Sequence, residues 1–204
     1  MSIIAAYMVP HPPMIVPAIG KGSEKQIRKT IAAYEKVAEE IAALRPETII
    51  ISSPHSIMYS DYFHFSPGRK ATGSFRSFGA DNVSFEVTYD SELVDRIGSL
   101  AAKENLPAGT LGERDPSLDH GTMVPLWFID SKYKDYKLVR VGLSGLPLTD
   151  HYRLGALIGQ AAEDLGRRCV YIASGDLSHK LQEAFVFGHI LPHRKASVQY
   201  GSAH

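Results

Sequence analysis

Only one cysteine, Cys169, occurs in the 204 residues. A lone thiol excludes an internal disulfide framework and any cysteine-rich zinc site. It lies in an apolar, β-branched run, where a buried small hydrophobe is the natural reading and a nucleophile is not. Net charge is also lacking: Lys+Arg and Asp+Glu stand at 22 each. The chain therefore carries no overall basic field to gather nucleic acid or an anionic membrane. No apolar run approaches the roughly 20 residues that span a bilayer. The N-terminus shows no basic segment followed by an apolar stretch, so neither a membrane span nor a secretory signal is expected, and the protein is read as cytoplasmic. Internal repeats, linkers and low-complexity segments are missing too. The length suits a single domain over residues 1–204 with a sizeable core, and a hydrophobic content of 44% is ordinary for a globular protein.

What the chain does have is histidine at strand ends. Ile3-Ile4-Ala5-Ala6-Tyr7-Met8 is short, apolar and β-prone, and reads as a buried strand. Val9-Pro10-His11-Pro12-Pro13 follows. Prolines end strand pairing and fix φ, so His11 is held on a stiff, extended loop. Alone, it could as well hydrogen-bond a neighbouring carbonyl. The arrangement recurs, however. Thr48-Ile49-Ile50-Ile51-Ser52-Ser53 runs into Pro54-His55, and Val170-Tyr171-Ile172-Ala173 runs into Ser174-Gly175-Asp176-Leu177-Ser178-His179. If these runs are parallel neighbours, three imidazoles meet at the carboxyl edge of one sheet, where open α/β sheets build their sites.

The intervening sequence supplies the crossovers. Ile27, Ile31, Tyr34, Val37, Ile41 and Leu44 recur at steps of three or four, predicting an amphipathic helix from a Ser23 N-cap to Arg45-Pro46. Residues 56–82, with Gly68, Gly73 and Gly79, predict a loop-rich excursion that forms part of a pocket wall. His64 within it reads as a surface or packing residue. A strand over 83–89, a helix over 91–104, a polar loop over 110–121 and an apolar helix with Pro125 in its first turn come next. His120 then lies near a helix N-terminus, where the partial positive charge favours a neutral imidazole. A strand over 137–141 and a helix from Thr149 or Asp150 to Leu165 complete the pattern. The order predicts an α/β fold: one three-layer domain with a mostly parallel or mixed central sheet flanked by helices.

Clustered histidines serve a metal site, acid–base catalysis, or, less readily, a Ser–His–Asp hydrolase. Ser174, Asp176, Ser178 and His179 are close in sequence, but no Gly-x-Ser-x-Gly elbow precedes a helix. Asp176 has another role open to it, orienting His179 through a hydrogen bond.

Four motifs in order carry a resemblance: Val9-Pro10-His11-Pro12-Pro13; Ser53-Pro54-His55; Gly112-Glu113-Arg114-Asp115 with Asp119-His120-Gly121-Thr122; and Ser174 to His179. Over residues 1–181 the chain resembles the class III extradiol ring-cleaving dioxygenase superfamily, the LigB-like and Memo-like proteins. The likeness is greatest to the prokaryotic branch called AmmeMemoRadiSam system proteins. The resemblance implies that His11 and His55 hold a non-haem Fe(II), with zinc as the other metal to consider. It implies His179 as the acid–base residue and His120 as a second catalytic histidine of the pocket. A catechol-like aromatic and O2 are the implied reactants. In Memo-like members the position of His179 can serve the metal directly. The family's ligating glutamate lies beyond the Gly-Asp-Leu-Ser-His motif, and residues 182–204 are atypical of that region. Glu183, Asp176 or water are the stand-ins considered. A chain short of its family's C-terminal part would expose apolar surface, so a homo-oligomer is expected. The rival expectation is a Memo-like accessory protein that keeps the pocket without cleaving a ring. The tail histidines His189, His193 and His204 are read as surface residues.

Overall fold

The computed structural model describes residues 2–176 and the backbone of the two-residue strand Ile190–Leu191. The chain opens with β1 (Ile3–Val9), a short turn of helix α1 (Pro17–Gly20) and the long helix α2 (Arg28–Leu44). Then come β2 (Thr48–Ser53), the short strands β3 (Met58–Tyr59) and β4 (Phe63–His64), and the hairpin β5 (Lys70–Phe75) and β6 (Ala80–Thr88). Helix α3 (Ser91–Lys103), the two-residue β7 (Ala108–Gly109), α4 (His120–Asp130), β8 (Lys137–Gly142), α5 (Leu148–Asp164) and β9 (Cys169–Ser174) follow. Ile190–Leu191, β10, pairs parallel to β3.

The main sheet runs β1-β9-β2-β8, with every neighbouring pair parallel. Its strands are covered on both faces, which is why β2 is β-branched over Thr48-Ile49-Ile50-Ile51 and buried at all its positions. Alternation decides which core each residue joins. Ile49 and Ile51 face the cluster built with α2, α4 and the β5–β6 hairpin, whereas Ile50 faces the cluster built with α3 and α5. Helices on both faces of a parallel sheet make the expected three-layer α/β fold. The register pairs Val9 with Ser174 and Ser52 with Ala173, so β1, β9 and β2 end together. Because β9 lies between the other two, its last residue sits between the loops that carry His11 and His55.

Several boundaries differ from the sequence reading, for local reasons. Residues Ser23–Ile27 form a 3₁₀ turn, and α2 starts only after Ile27 leaves the helical region (φ −115°, ψ 34°). Pro147, not Thr149 or Asp150, caps α5. The excursion after β2 is less loop-like than its glycines suggest. Gly73 lies within β5, and a Cβ there would come 2.7 Å from Leu118 Cβ and Met123 Sδ. That glycine permits a close approach of strand to helix rather than marking a loop. His64 is fully buried on β4, so the packing half of its reading holds and the surface half does not. Helix α4 begins at His120, which puts Pro125 inside the helix instead of in its first turn.

Candidate metal centre

His11, His55 and His120 converge at the carboxyl edge of the sheet. One ring nitrogen of each can be chosen so that all three lie within 4.8 Å of one another. His11 Nε2 and His55 Nε2 are 3.1 Å apart. Two nitrogens each about 2.1 Å from one cation, at about a right angle, would be about 3.0 Å apart. The His55 and His120 rings lie 3.9 Å centroid to centroid, and His11 meets His55 nearly edge-on at 87°. No carboxylate joins this group among the described residues. Asp176 is exposed at the end of β9, and its charge is felt by both His55 and His120. His179, Glu183 and the tail histidines lie outside the described residues.

A chain of local causes sets the chemistry of His11. Proline has no N–H, so Pro125 leaves the carbonyl of Gly121, four residues earlier in α4, without its helical donor. Ser174 Oγ donates to that carbonyl at 2.5 Å. A hydroxyl has one proton to give. At the 2.9 Å contact between Ser174 Oγ and His11 Nδ1, the serine must therefore accept, and His11 carries its proton on Nδ1. The lone pair is left on Nε2, the nitrogen that faces His55. Tyr34 on α2 anchors the same loop, donating its hydroxyl proton to the carbonyl of Pro10 while stacking on Phe128.

His55 and His120 are tied together through Asp119. Asp119 caps α4, accepting from the Thr122 N–H at 3.0 Å, and Ser53 Oγ donates to it at 2.6 Å. Ser53 Oγ in turn accepts from the His55 N–H at 3.2 Å. Gly121 must lack a side chain, because a Cβ there would fall 2.4 Å from Ser53 Oγ. These features fit a divalent cation: a tautomer set by Ser174, an Nε2 lone pair that faces His55 and three imidazoles held close together.

The chain matches the family described as the catalytic LigB subunit of aromatic ring-opening dioxygenase over residues 5–189. It belongs to that family. Among curated relatives, Protein CA_C1420 of Clostridium acetobutylicum is 41% identical over 93% of this chain and 42% of its own length, and its name states no activity. The 2-aminophenol 1,6-dioxygenase beta subunit of a Pseudomonas species is 26% identical over 87% of this chain and 63% of its own length. The 3,4-dihydroxyphenylacetate 2,3-dioxygenase of Escherichia coli is 26% identical over 74% and 56%. The chain thus spans between 42% and 63% of the length of these relatives.

In this LigB-family chain two of the three histidines, His55 and His120, resist protonation. Burial, with the neighbouring charges of His120 and His11, moves the His55 pKa from an ordinary 6.5 down to about 4. Burial and His11 also lower His120. Below pH 6.5 the unfolded chain takes up protons that the folded one refuses. Stability of the metal-free protein is therefore expected to fall as pH drops from about 6.5 towards 4. Urea midpoints at pH 7 and pH 5 would check this; an equal or higher midpoint at pH 5 contradicts it.

One residue escaped the sequence reading. Arg140, in the middle of β8, is 2% exposed. Its guanidinium donates to Ser66 Oγ at 2.6 Å, to the Ser117 carbonyl at 2.5 Å and to the Asp115 carbonyl at 3.3 Å. It also lies 3.6 Å from Asp119 and 3.8 Å from Glu113. The loop that delivers Asp119 and His120 is thus pinned to the sheet by one buried cation. The available signal was an arginine between two valines in the interior of a strand, since a charge at such a place needs partners.

His120 also opens onto a cleft of about 990 Å³ between the β5–β6 hairpin and the loop before α4. The pocket wall expected from residues 56–82 is present in its second half, residues 72–78. Phe78 meets the His120 ring at 5.3 Å. None of the described helices is long and apolar enough to cross a membrane.

Proposed function

We propose that this chain holds a divalent metal, Fe(II) by preference, on His11 Nε2 and His55 Nε2, and that the adjoining cleft admits a catechol-like aromatic for O2-dependent ring opening. The observation that carries the reading is the 3.1 Å approach of two imidazole nitrogens, one with its tautomer set by Ser174, in a chain of the LigB family. The names of the relatives, dioxygenases of 2-aminophenol and of 3,4-dihydroxyphenylacetate, support the aromatic substrate class.

A bound Fe(II) would bring the substrate oxygens and O2 onto one centre and make the hydroxyls more acidic. The protein's part is geometric and protonic. His11 offers its Nε2 lone pair because Ser174 accepts a hydrogen bond from the proton on Nδ1, and burial keeps His55 neutral. His120, neutral at the first turn of α4, accepts a proton from a substrate hydroxyl at a ring nitrogen. Phe78 beside it lines a wall against which an aromatic ring can lie. His179 is proposed as a further acid–base group.

The set of three imidazoles without a carboxylate among the described residues favours a second reading, a zinc site in an accessory or hydrolytic protein. Anaerobic purification, elemental analysis and incubation with 3,4-dihydroxybenzoate and O2 separate the two. One iron per chain and a yellow ring-opened product support the dioxygenase; zinc with no O2 uptake supports the second reading. Metal-free protein that does not take up either ion defeats both.

Ser174→Ala is expected to weaken metal binding by about 10- to 100-fold, the usual effect of losing the partner that orients a ligating histidine. Equilibrium dialysis with Zn(II) measures it. An unchanged affinity would show that Ser174 does not set the tautomer.

A further inference from the structure

Helix α4 holds a proline where a helix tolerates one least. Pro125 is buried and is the sixth of the eleven helical residues. There it withholds one helical donor, and its ring presses on the carbonyl four residues back. That carbonyl belongs to Gly121, which follows His120 in the first turn. Ser174 Oγ, at the end of β9, donates to it at 2.5 Å and lies 2.9 Å from His11 Nδ1. Ser174 and His11 are only 6% and 4% exposed, so solvent does not compete freely for either group. A local rule broken inside a well-packed element is expected where a site gains from the breach.

We propose that Pro125 is a positioning residue of the metal centre: by denying the Gly121 carbonyl a backbone donor, it keeps the Ser174 hydroxyl proton off His11 and the lone pair on His11 Nε2. The proposal rests on the reading of His11 as a metal ligand. Any other residue at position 125 would carry an N–H and draw the Gly121 carbonyl into the helical ladder. Ser174 would then be free to turn its one proton towards His11 Nδ1. The imidazole proton would move to Nε2, the nitrogen 3.1 Å from His55 Nε2, and a protonated nitrogen has no lone pair for a cation. A proline that only bent α4 to fit the core would act on stability, and its effect would not depend on Ser174.

The test uses the full chain with Pro125→Ala and Pro125→Val, each alone and combined with Ser174→Ala. Both restore the N–H, and valine keeps most of the ring's volume, so a shared effect belongs to the N–H and not to a cavity. Proton–nitrogen correlation spectra of the histidine rings, recorded without metal at about pH 8, show which nitrogen carries the proton. The His11 signals are those missing from His11→Ala. Nδ1–H is expected in the native chain, with a shift towards Nε2–H in both proline variants. Zn(II) affinity, by equilibrium dialysis, should fall about five- to tenfold, the equilibrium worth of one net hydrogen bond. With Ser174 already alanine, the same substitutions should change it by less than about twofold. Urea midpoints should hold or rise, because a helical donor is restored, so metal affinity and stability move in opposite directions. Nε2–H in the native chain, an unmoved tautomer in both proline variants, or an equal loss of affinity with and without Ser174 overturns the role of Pro125.

The failure of the metal reading looks different. The native chain would then take up no Zn(II) while the His11 tautomer still follows residue 125, which keeps the tautomer control and removes the metal centre. Zn(II) bound equally by the native chain and both proline variants, with the tautomer unmoved, keeps the centre and removes Pro125 from it.

Discussion

His55→Ala is expected to lose tight metal binding, by more than about 100-fold, while the protein stays folded. Loss of an orienting partner alone costs about 10- to 100-fold, so removal of a donor atom should cost more. His55 is the most exposed of the three histidines, so its truncation leaves little cavity. His11→Ala should lose metal equally but with a stability cost. His11 is 4% exposed, and its removal leaves Ser174 Oγ with an unfilled acceptor position. Anaerobic dialysis against Fe(II) or Zn(II), followed by elemental analysis, measures both variants, with circular dichroism to report the fold. One metal per chain retained by folded His55→Ala would remove His55 from the site. Metal retained by both variants would move the centre elsewhere.

The second large effect is at Arg140. Arg140→Met is expected to destabilise the protein by about 3–5 kcal/mol, the range for breaking a buried ion pair from one side. Asp119 and Glu113, whose side chains are 11% and 18% exposed, would lose their cation, and two backbone carbonyls of the 110–119 loop would lose donors. Urea denaturation measures the loss. A change under about 1 kcal/mol would mean that water replaces the guanidinium without cost. Arg140→Lys should fall between the two, since an ammonium cannot span Ser66 and both carbonyls in one plane. The consequence reaches the candidate centre, because Asp119 caps α4 and also receives the Ser53 hydroxyl that holds the His55 amide.

Much of the fold was legible because its causes are local. A β-branched run such as Ile49-Ile50-Ile51 is extended whatever surrounds it, and prolines after β1 and β2 end those strands by covalent geometry. Period-3.6 patterns placed α2, α3 and α5 to within a few residues. His11 and His55 stood out because each follows such a strand directly. Convergence of His11, His55 and His179 was inferred from parallel order; the register of β1, β9 and β2 brings those strand ends together, and His179 lies outside the described residues. His120 was read as a catalytic group of the pocket; the tertiary structure sets its ring 3.9 Å from that of His55, close enough to count among the nitrogens that could hold a metal.

Other features depend on residues far apart in the chain. Nothing local to Ser174 says that it donates to a carbonyl 53 positions away, or that Pro125 left that carbonyl without its helical partner. Arg140 meets Asp115 and Ser117 across more than 20 residues. Gly73, read from sequence as part of a loop-rich stretch, and Gly121 act as close-approach points in space. By itself, then, the sequence determined the strands of the main sheet, the helices α2, α3 and α5, and which of His11 and His55 follows which strand, since these obey short-range sterics and hydrophobic periodicity. Only tertiary packing decided the tautomer of His11 and the anchoring of the His120 loop. Hydrogen-bond and ion-pair partners are chosen by proximity in space, which sequence spacing does not encode.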